Sequence, residues 1–321
     1  MDGLGGYVLR RLLFLPVTLL IVSFGTFYIT RWGPGDPVSV YSGQFRDEEA
    51  FARVQHKYGL DKPIVEQYGI WLKDVVLHGD FGVSFQFRES GRSIPEIIGP
   101  KIWVSARLGL YAFVLTFVIG IPVGVYAALK QGTWIDPFLI SIFLFFQSIP
   151  VLVTVPVMVL IFAAKLHWLP NGGFEGIFSK SMIIPTLALS LPGIAGVARL
   201  ARVTTLGTLG EDFVRTARSK GLDEFTVVTR HIVRNSVVPV MTTVIGLSLV
   251  GLIEGALFTE TILGIPGIGR FTFESVNSRD YNVLLTIVLL VTTVFVLANL
   301  LVDLALVVVD PRMRSGGAGR Q

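Results

Sequence analysis

The sequence of 321 residues contains no cysteine and little charge. Without cysteine it can form no disulfide, no thiolate metal site and no cysteine nucleophile. Charged residues make up only 16% of the chain and apolar residues 52%, whereas ordinary globular proteins carry about 25% charge. An ordinary soluble domain is therefore excluded. The charges are confined to a few blocks between long uncharged stretches, which indicates a membrane protein.

Motifs for catalysis, nucleotide binding and metal binding are missing as well. No Gly-x-x-x-x-Gly-Lys-Ser/Thr phosphate loop occurs, so the chain cannot cradle ATP by the usual route. No His-Glu-x-x-His spacing or Gly-x-Ser-x-Gly nucleophile elbow occurs either. The small excess of 27 basic over 23 acidic residues does not require a nucleic-acid partner. We therefore expect a non-catalytic chain with no metal and no cofactor of its own.

Six long uncharged runs are present, each near or above the roughly 18 residues that a helix needs to cross a bilayer. Prolines fall inside several of them, which a helix bundle tolerates because neighbouring helices and polar side chains satisfy the freed carbonyls. These runs predict an all-α polytopic membrane protein. The six predicted transmembrane helices are Leu12–Thr30, Leu108–Leu129, Pro137–Ala164, Ser181–Ala198, Asn235–Ile253 and Tyr281–Val302.

Basic residues predict the orientation, because short loops rich in Lys and Arg stay in the cytoplasm. With the N-terminus inside, thirteen basic residues fall in inner segments and four in the two short outer loops. The long outer loop, Arg31–Ile102, does not count, since long loops are translocated largely regardless of charge. Both termini are therefore expected in the cytoplasm. The inner residues are Arg10, Arg11, Lys130, Arg199, Arg202, Arg215, Arg218, Lys220, Arg230, Arg234, Arg312, Arg314 and Arg320, and the outer ones are Lys165, Lys180, Arg270 and Arg279.

The long loop after the first span is expected to form a small helical cap outside the membrane. Asp47 can cap a helix that runs to Tyr58. Asp61 and Pro63 can start a second helix, which ends before Gly79 and has an apolar side for packing on the bundle or against a partner. The chain accordingly divides into residues 1–101, with the first span and the cap, and residues 102–321, with a five-helix core and a cytoplasmic loop at about 205–235.

The largest cytoplasmic loop, Arg199–Asn235, is predicted to contain a short amphipathic helix. Acidic residues open the helix and basic residues follow, which suits its macrodipole, and Gly221 supplies a left-handed stop. Phe213, Val214 and Ala217 share one face. Such a helix is typical of a docking element for a soluble partner. A loop whose bases only hold orientation or touch anionic lipid fits the same pattern.

The fifth span leads into a glycine-rich segment, Gly255–Arg270. Its four glycines and one proline predict a broken helix and an irregular loop at the outer surface. Glu254 and Asp303 are the nearest approach to intramembrane acids. Either a function within the membrane or an ordinary capping or snorkelling role would explain them.

The loop sequence Asp212–Leu222 resembles the coupling-loop signature of permease subunits in ABC importers for dipeptides, oligopeptides and nickel. Further motifs of that family span nearly the whole chain in the expected order. They are Pro34-Gly35-Asp36-Pro37, Gly59–Pro63, Gly79-Asp80-Phe81-Gly82-x-Ser84, Leu169–Gly173, Arg230-His231, Arg234-Asn235 with Pro239, Glu260–Arg270 and Asp310-Pro311-Arg312-x-Arg314.

This resemblance implies the type I ABC importer permease fold and a complex in a bacterial or archaeal cytoplasmic membrane. The implied partners are a second paralogous permease, two subunits that bind ATP and Mg²⁺, and an extracytoplasmic solute-binding protein. The long outer loop is similar to that of the first of the two permeases. Dipeptides or oligopeptides are the implied substrates, with nickel chelates, glutathione or oligosaccharides as alternatives. A secondary transporter, a channel and an intramembrane protease are rival classes, and the absence of a buried Ser–His pair disfavours the protease.

The resemblance also assigns site residues. Arg215 and Thr216 stand where many importers have Glu and Ala, so an acidic contact to the ATPase comes from Glu211 or Asp212 or is absent. The residues implied in ATPase coupling are Glu211, Asp212, Phe213, Arg215, Thr216, Ala217, Arg218, Lys220, Gly221, His231, Arg234 and Asn235. Those implied in an outer-face loop toward the binding protein are Glu260, Pro266, Gly267, Gly269 and Arg270.

Reporter fusions test the predicted orientation, which depends on the uneven distribution of basic residues. Fusions after Gln86, Gly173 and Asn277 should report an extracytoplasmic location. Fusions after Gly132, Leu222 and Ser315 should report a cytoplasmic one. Reversal of any two of these locations would contradict the topology.

Overall fold

The described part of the chain is helical throughout. The computed structural model describes residues 4–32, 61–84, 92–176 and 178–309, and it describes side chains at 13–31, 61–84, 92–176, 178–241 and 256–300. Within these ranges there are eleven helices and no strand. The helices are α1 (Leu4–Trp32), α2 (Ile64–Lys73), α3 (Ile94–Leu129), α4 (Ile135–Ser148), α5 (Val151–Met158), α6 (Ile183–Leu209), α7 (Asp212–Ser219), α8 (Glu224–Thr226), α9 (Arg234–Leu263), α10 (Ile268–Asn277) and α11 (Tyr281–Val309).

Wider π-helical turns continue three of these helices. They follow α2 at Asp74–His78, α5 at Val159–Lys165 and α8 at Val227–Val233, and a 3₁₀ turn at Lys180–Met182 precedes α6.

Four of the described helices are long and apolar enough to cross a membrane, namely α1, α3, α6 and α11. The number becomes five if α4 and α5 together form one bent span. The helix α9 covers the predicted fifth span with 30 continuous residues. The all-α membrane class is therefore confirmed, while the count of six spans stays a prediction.

The predicted third span, Pro137–Ala164, is wrong as a single helix. It is broken between α4 and α5, whose axes differ by 102°. Pro150 has no N–H to donate, and its ring forces the preceding Ile149 into an extended conformation, with φ −88° and ψ 121°. The Ile149 N–H still donates to the Phe146 carbonyl at 3.3 Å, so this carbonyl at the end of α4 keeps a hydrogen-bond partner at the break.

The centre of the bundle is the contact between α3 and α6, the most extensive among the described helices. Small residues let the two backbones approach each other, as is common between helices in lipid. A Cβ atom on Gly124 would overlap the carbonyl oxygen of Ala198 and lie 2.7 Å from the Cβ atom of Ala201. A Cβ atom on Gly120 would lie 2.7 Å from Val197.

The second cap helix, α2, packs on α1 through aromatic side chains. The Tyr68 ring meets Phe24 edge-on, with 5.1 Å between centroids, and Trp71 lies 5.7 Å from Phe27. The Tyr68 hydroxyl shares a 2.8 Å hydrogen bond with the hydroxyl of Ser23. The apolar side of α2 thus packs on α1, while the helical cap as a whole stays a prediction.

Two predicted boundaries differ from the structure. The helix α3 begins at Ile94, well before the predicted Leu108, because Ser93 and Glu96 form a capping box that starts it in polar sequence. The division at residues 101 and 102 thus falls inside α3. The helix α9 continues to Leu263, beyond the predicted Ile253, so the break predicted within Gly255–Arg270 lies at Gly264.

Several predictions concern parts of the chain outside the described residues. The first cap helix, Asp47–Tyr58, and the motifs Pro34–Pro37 and Asp310–Arg314 lie there. The side chains of Glu254 and Asp303 also lie outside the described set.

Because α3 and α6 cross closely, the loss of stability caused by one added methyl group should depend on its position along α3. Gly124→Ala should destabilise the purified protein by about 1–3 kcal/mol, because its Cβ atom has no space and the backbones must separate. Gly109→Ala is the matched control on the same helix, since a Cβ atom there meets nothing within 4 Å. Thermal unfolding in detergent measures both. Equal melting temperatures for the two variants would contradict the close crossing.

Candidate functional site

The candidate docking helix of the cytoplasmic loop is α7, Asp212–Ser219. It ends as predicted, because Gly221 adopts the left-handed conformation with φ +76°. A Cβ atom at Gly221 would meet nothing within 4 Å, so there is space for a larger side chain. Glycine is favoured here because φ is positive. The Leu222 N–H then donates to the Ala217 carbonyl at 3.4 Å, which closes the turn.

One face of α7 is buried against its own chain. Val214 is fully buried and Ala217 is 4% exposed. They form a small core with Val227 and Ile232, which belong to the π-helical turn after α8. Leu209, the last residue of α6, packs against this core. The expectation that Ala217 contacts an ATPase is therefore corrected, because Ala217 holds the loop together.

Other apolar side chains of this loop are exposed. Phe213 is 39% exposed, Leu222 40% and Phe225 77%. Arg215 and Asp212 form an exposed ion pair on α7 at 3.6 Å. Three large apolar side chains in one short exposed loop form a surface suited to a protein partner. We call Phe213, Leu222 and Phe225 the apolar loop surface.

An ion pair that the sequence did not reveal fixes the end of α7 to α8. The Arg218 guanidinium donates from Nη2 and Nε to the Glu224 carboxylate at 2.6 and 3.2 Å. This hydrogen bonding holds the pKa of Glu224 below its usual range. Asp223 caps the Thr226 N–H at 2.9 Å, and the hydrogen bonds with Thr226 lower the pKa of Asp223. Both contacts persist at neutral pH and are lost only as the pH falls through these lowered pKa values.

The other predicted loop residues lie in the same segment with varied roles. The Thr216 hydroxyl donates to the Asp212 carbonyl at 2.9 Å, within α7. The Asn235 side chain donates to the carbonyl of His231 at 2.6 Å. The side chains of Glu211, Lys220 and Arg234 are exposed.

At the opposite end of the bundle, Glu260 is a buried carboxylate in the last turns of α9. It accepts a short 2.5 Å hydrogen bond from the Ser105 hydroxyl of α3 and a 3.1 Å bond from the Arg270 N–H in the first turn of α10. The same Ser105 oxygen accepts from the Ile268 N–H at 2.8 Å. A negative charge at a helix N-terminus is favoured by the helix dipole. The carboxylate thus joins three helices, and we call residues 260–274 the outer platform.

Two glycines make this arrangement possible. A Cβ atom on Gly267 would overlap the Glu260 carboxylate, and one on Gly269 would lie 2.5 Å from the Cα atom of Leu257. The expectation that Glu260, Gly267 and Gly269 face the binding protein is corrected, because all three are buried. Pro266 is exposed.

Arg270 is the other residue of the predicted outer-face loop that reaches the surface, with a side chain 40% exposed. It donates to Glu274 at 2.7 Å and to the Gly264 carbonyl at 2.9 Å. The loop Leu169–Gly173 joins the platform through the Gly173 N–H, which donates to the Leu263 carbonyl at 2.6 Å. Between them lies an open cleft of about 600 Å³, whose lining includes Asn171, Gly172, Arg270, Phe273 and Glu274.

The motif Gly79–Ser84 also lies at this end of the bundle. The Ser84 hydroxyl donates to the buried Asp280 carboxylate at 2.6 Å, and the Asn282 side chain donates to the Val83 carbonyl at 3.0 Å. Phe81 packs against the core around Phe271. The motif is therefore a turn that holds the cap segment to α11. Within the described ranges, no cluster of three metal-ligating side chains is present.

Comparisons with known proteins agree on one family. Residues 120–315 match the model for binding-protein-dependent transport system inner membrane components, and residues 5–88 match the model for the N-terminal part of such components. The oligopeptide transport system permease protein OppB of Escherichia coli (strain K12) is 38% identical over 309 residues, which cover 96% of this chain and 99% of that protein.

Two further relatives and one solved structure are similar. The probable peptide ABC transporter permease protein y4tP of Sinorhizobium fredii (strain NBRC 101917 / NGR234) is 34% identical, covering 97% of this chain and all of that protein. The dipeptide transport system permease protein DppB of Alkalihalophilus pseudofirmus is 34% identical, covering 96% and 99%. The inward-facing MetNI methionine ABC transporter matches in fold, with a TM-score of 0.53 and 17% identity over 67% of this chain and 96% of that one.

Because Glu260 is buried and Glu274 is partly exposed, replacing these two acids of the outer platform should change stability by different amounts. Glu260→Ala should lower the free energy of unfolding by about 1–3 kcal/mol, because the Ser105 hydroxyl and Arg270 N–H each lose a buried acceptor. Glu274→Ala removes a partly exposed ion pair and should cost about 0–1 kcal/mol. Thermal unfolding of both purified variants measures the difference. A loss for Glu260→Ala no larger than that for Glu274→Ala would contradict the clamp.

Proposed function

The chain belongs to the family of binding-protein-dependent transport system inner membrane components, and from this membership we propose that it imports peptides as one permease subunit of an ATP-driven transporter. The relatives named for oligopeptide and dipeptide transport, which align over nearly the full chain, support peptides as the substrate class. The chain itself contributes a pathway and moving helices and performs no covalent chemistry.

The proposed complex contains a second paralogous permease, two ATP-binding subunits and an extracytoplasmic binding protein. ATP and Mg²⁺ would be held by the ATPase partners. We propose that the complex lies in a bacterial or archaeal cytoplasmic membrane with both termini of this chain inside. The thirteen basic residues of the inner segments support this orientation.

The observation that carries the proposal is that the α7 loop buries one set of apolar side chains and exposes another. Val214 and Ala217 fix the loop to α6 and to the turn after α8. The apolar loop surface and the Arg215 side chain stay exposed. A loop that is rigid inside and apolar outside can receive a push from a soluble partner and pass it to the bundle. A loop that only held orientation would not need this surface.

At the other end, the outer platform is the proposed contact for the binding protein. Pro266 is exposed, and Arg270 and Glu274 line an open cleft beside the Leu169–Gly173 loop. Buried Glu260 fixes the shape of this surface and does not touch the partner. Closure of the ATPases would displace α7 and tip the bundle between inward-open and outward-open states.

The apolar loop surface predicts which variants release the ATPase. The double variant Phe213→Ser/Phe225→Ser should insert normally and bind the ATPase about tenfold more weakly, because exposed aromatic anchors carry much of the energy of an interface. Co-purification of the ATPases and peptide uptake by cells measure this loss. Phe178→Ser is the control, since Phe178 is 96% exposed at the opposite end. Full ATPase retention and normal uptake in the double variant would remove the docking role.

The left-handed turn at Gly221 leads to a second prediction, which is also tested by peptide uptake. Gly221→Val should strain the left-handed turn by about 1–3 kcal/mol, because a β-branched residue disfavours positive φ. The loop would then present its apolar surface in a different direction and uptake should fall. Gly210→Val, next to the same helix but at φ −80°, is the control and should cost less.

A further inference from the structure

A partly buried ion pair connects α4 to α6, and it belongs neither to the apolar loop surface nor to the outer platform. The Arg202 guanidinium donates from Nε to Oδ1 of Asp136 at 2.5 Å and from Nη2 to Oδ2 at 2.6 Å. The Asp136 side chain is 7% exposed and that of Arg202 is 28% exposed. Two parallel hydrogen bonds from a planar guanidinium fix orientation as well as distance.

The cost of burying these charges suggests what the pair does. A buried ion pair contributes little net stability, because desolvation offsets much of the attraction, whereas removal of one partner leaves an uncompensated charge. Apolar side chains would hold the two helices together as well. What the ion pair adds is a fixed register between the start of α4 and the last third of α6.

Each helix of the pair leads to a different functional element. From Arg202, α6 continues without a break to Leu209, a distance of about 10 Å at the helical rise of 1.5 Å per residue. Leu209 packs against the buried core of the α7 loop. From Asp136, α4 runs to Ser148, where the 102° bend at Ile149 begins.

We propose that the Asp136–Arg202 ion pair is a coupling element, which makes the start of α4 move with α7 when the ATPases displace the docking helix. Both residues are positioning residues, and the inference rests on the proposed function. The ion pair carries the displacement of α6 across to α4, and the bend at Ile149 and Pro150 is where the moving α4 meets α5. The pathway then opens or closes through this bend.

The first experiment measures how many peptides are transported per ATP hydrolysed in proteoliposomes of the complete complex. Asp136→Asn leaves the α7 core intact, so the ATPases should still co-purify and hydrolyse ATP. The ratio of transport to hydrolysis should fall about tenfold, within the range usual for coupling between distant sites. The exchanged double variant Asp136→Arg/Arg202→Asp, which restores opposite charges, should recover part of the ratio.

Arg199→Gln is the matched control, because Arg199 is exposed on the same helix and forms no ion pair with the described residues. It should keep the wild-type ratio. A wild-type ratio in Asp136→Asn, or an equal loss in Arg199→Gln, would overturn the inference. A wild-type complex that binds no ATPase or moves no peptide would instead overturn the proposed function.

A second measurement keeps both residues of the ion pair unchanged. The chain has no native cysteine, so cysteines introduced at exposed Thr133 and Ser219 can carry spin labels, with cysteine-free partner subunits. If the start of α4 and the docking helix move together, the distance between the labels should be the same in nucleotide-free and ATP-trapped complexes. A clear change of this distance in the otherwise wild-type chain would overturn the inference.

Discussion

The close contact between α3 and α6 is the constraint on which the rest of the structure depends. In lipid there is no hydrophobic drive to bring two apolar helices together, so van der Waals contact between their surfaces must hold them. Gly120 and Gly124 supply that contact by exposing the α3 backbone to Val197, Ala198 and neighbouring atoms. The first half of α3 reaches the outer platform, and α6 leads directly into α7. A single helix crossing therefore sets where both functional ends lie.

Local signals allowed much of the fold to be predicted from the sequence, and long-range contacts account for what was missed. The end of α7 was predictable because Gly221 is a local signal of a left-handed turn. The broken third span was not. Pro122 and Pro192 lie inside continuous helices, whereas Pro150 follows an extended residue and ends one. Proline marks a position where a helix can bend, but tertiary packing decides which of these positions does bend.

In the candidate site, too, local features were predictable and features set by long-range contacts were not. An apolar stripe on α7 was visible in the sequence, but the sequence could not divide it into an inward and an outward part. Ala217 turns inward because Val227 and Ile232 come from a later turn. Glu260 was assigned to the outer-face loop by the family resemblance, which does not show whether its side chain is buried. Its partner Ser105 lies 155 residues earlier, and no local pattern announces a bond over that distance.

Polar contacts and small residues hold different parts of this bundle, which suggests how it can move. Glu260 and Asp280 fix one end, and the Asp136–Arg202 pair fixes the other. Between them α3 and α6 touch through glycine, alanine and valine, which impose no directional bond. Directional hydrogen bonds define one register, whereas small apolar contacts tolerate a change of helix angle more easily. The two ends of the bundle can then move relative to each other. The break at Ile149 allows a change of helix angle without loss of a helical hydrogen bond, because Pro150 has no N–H to donate there.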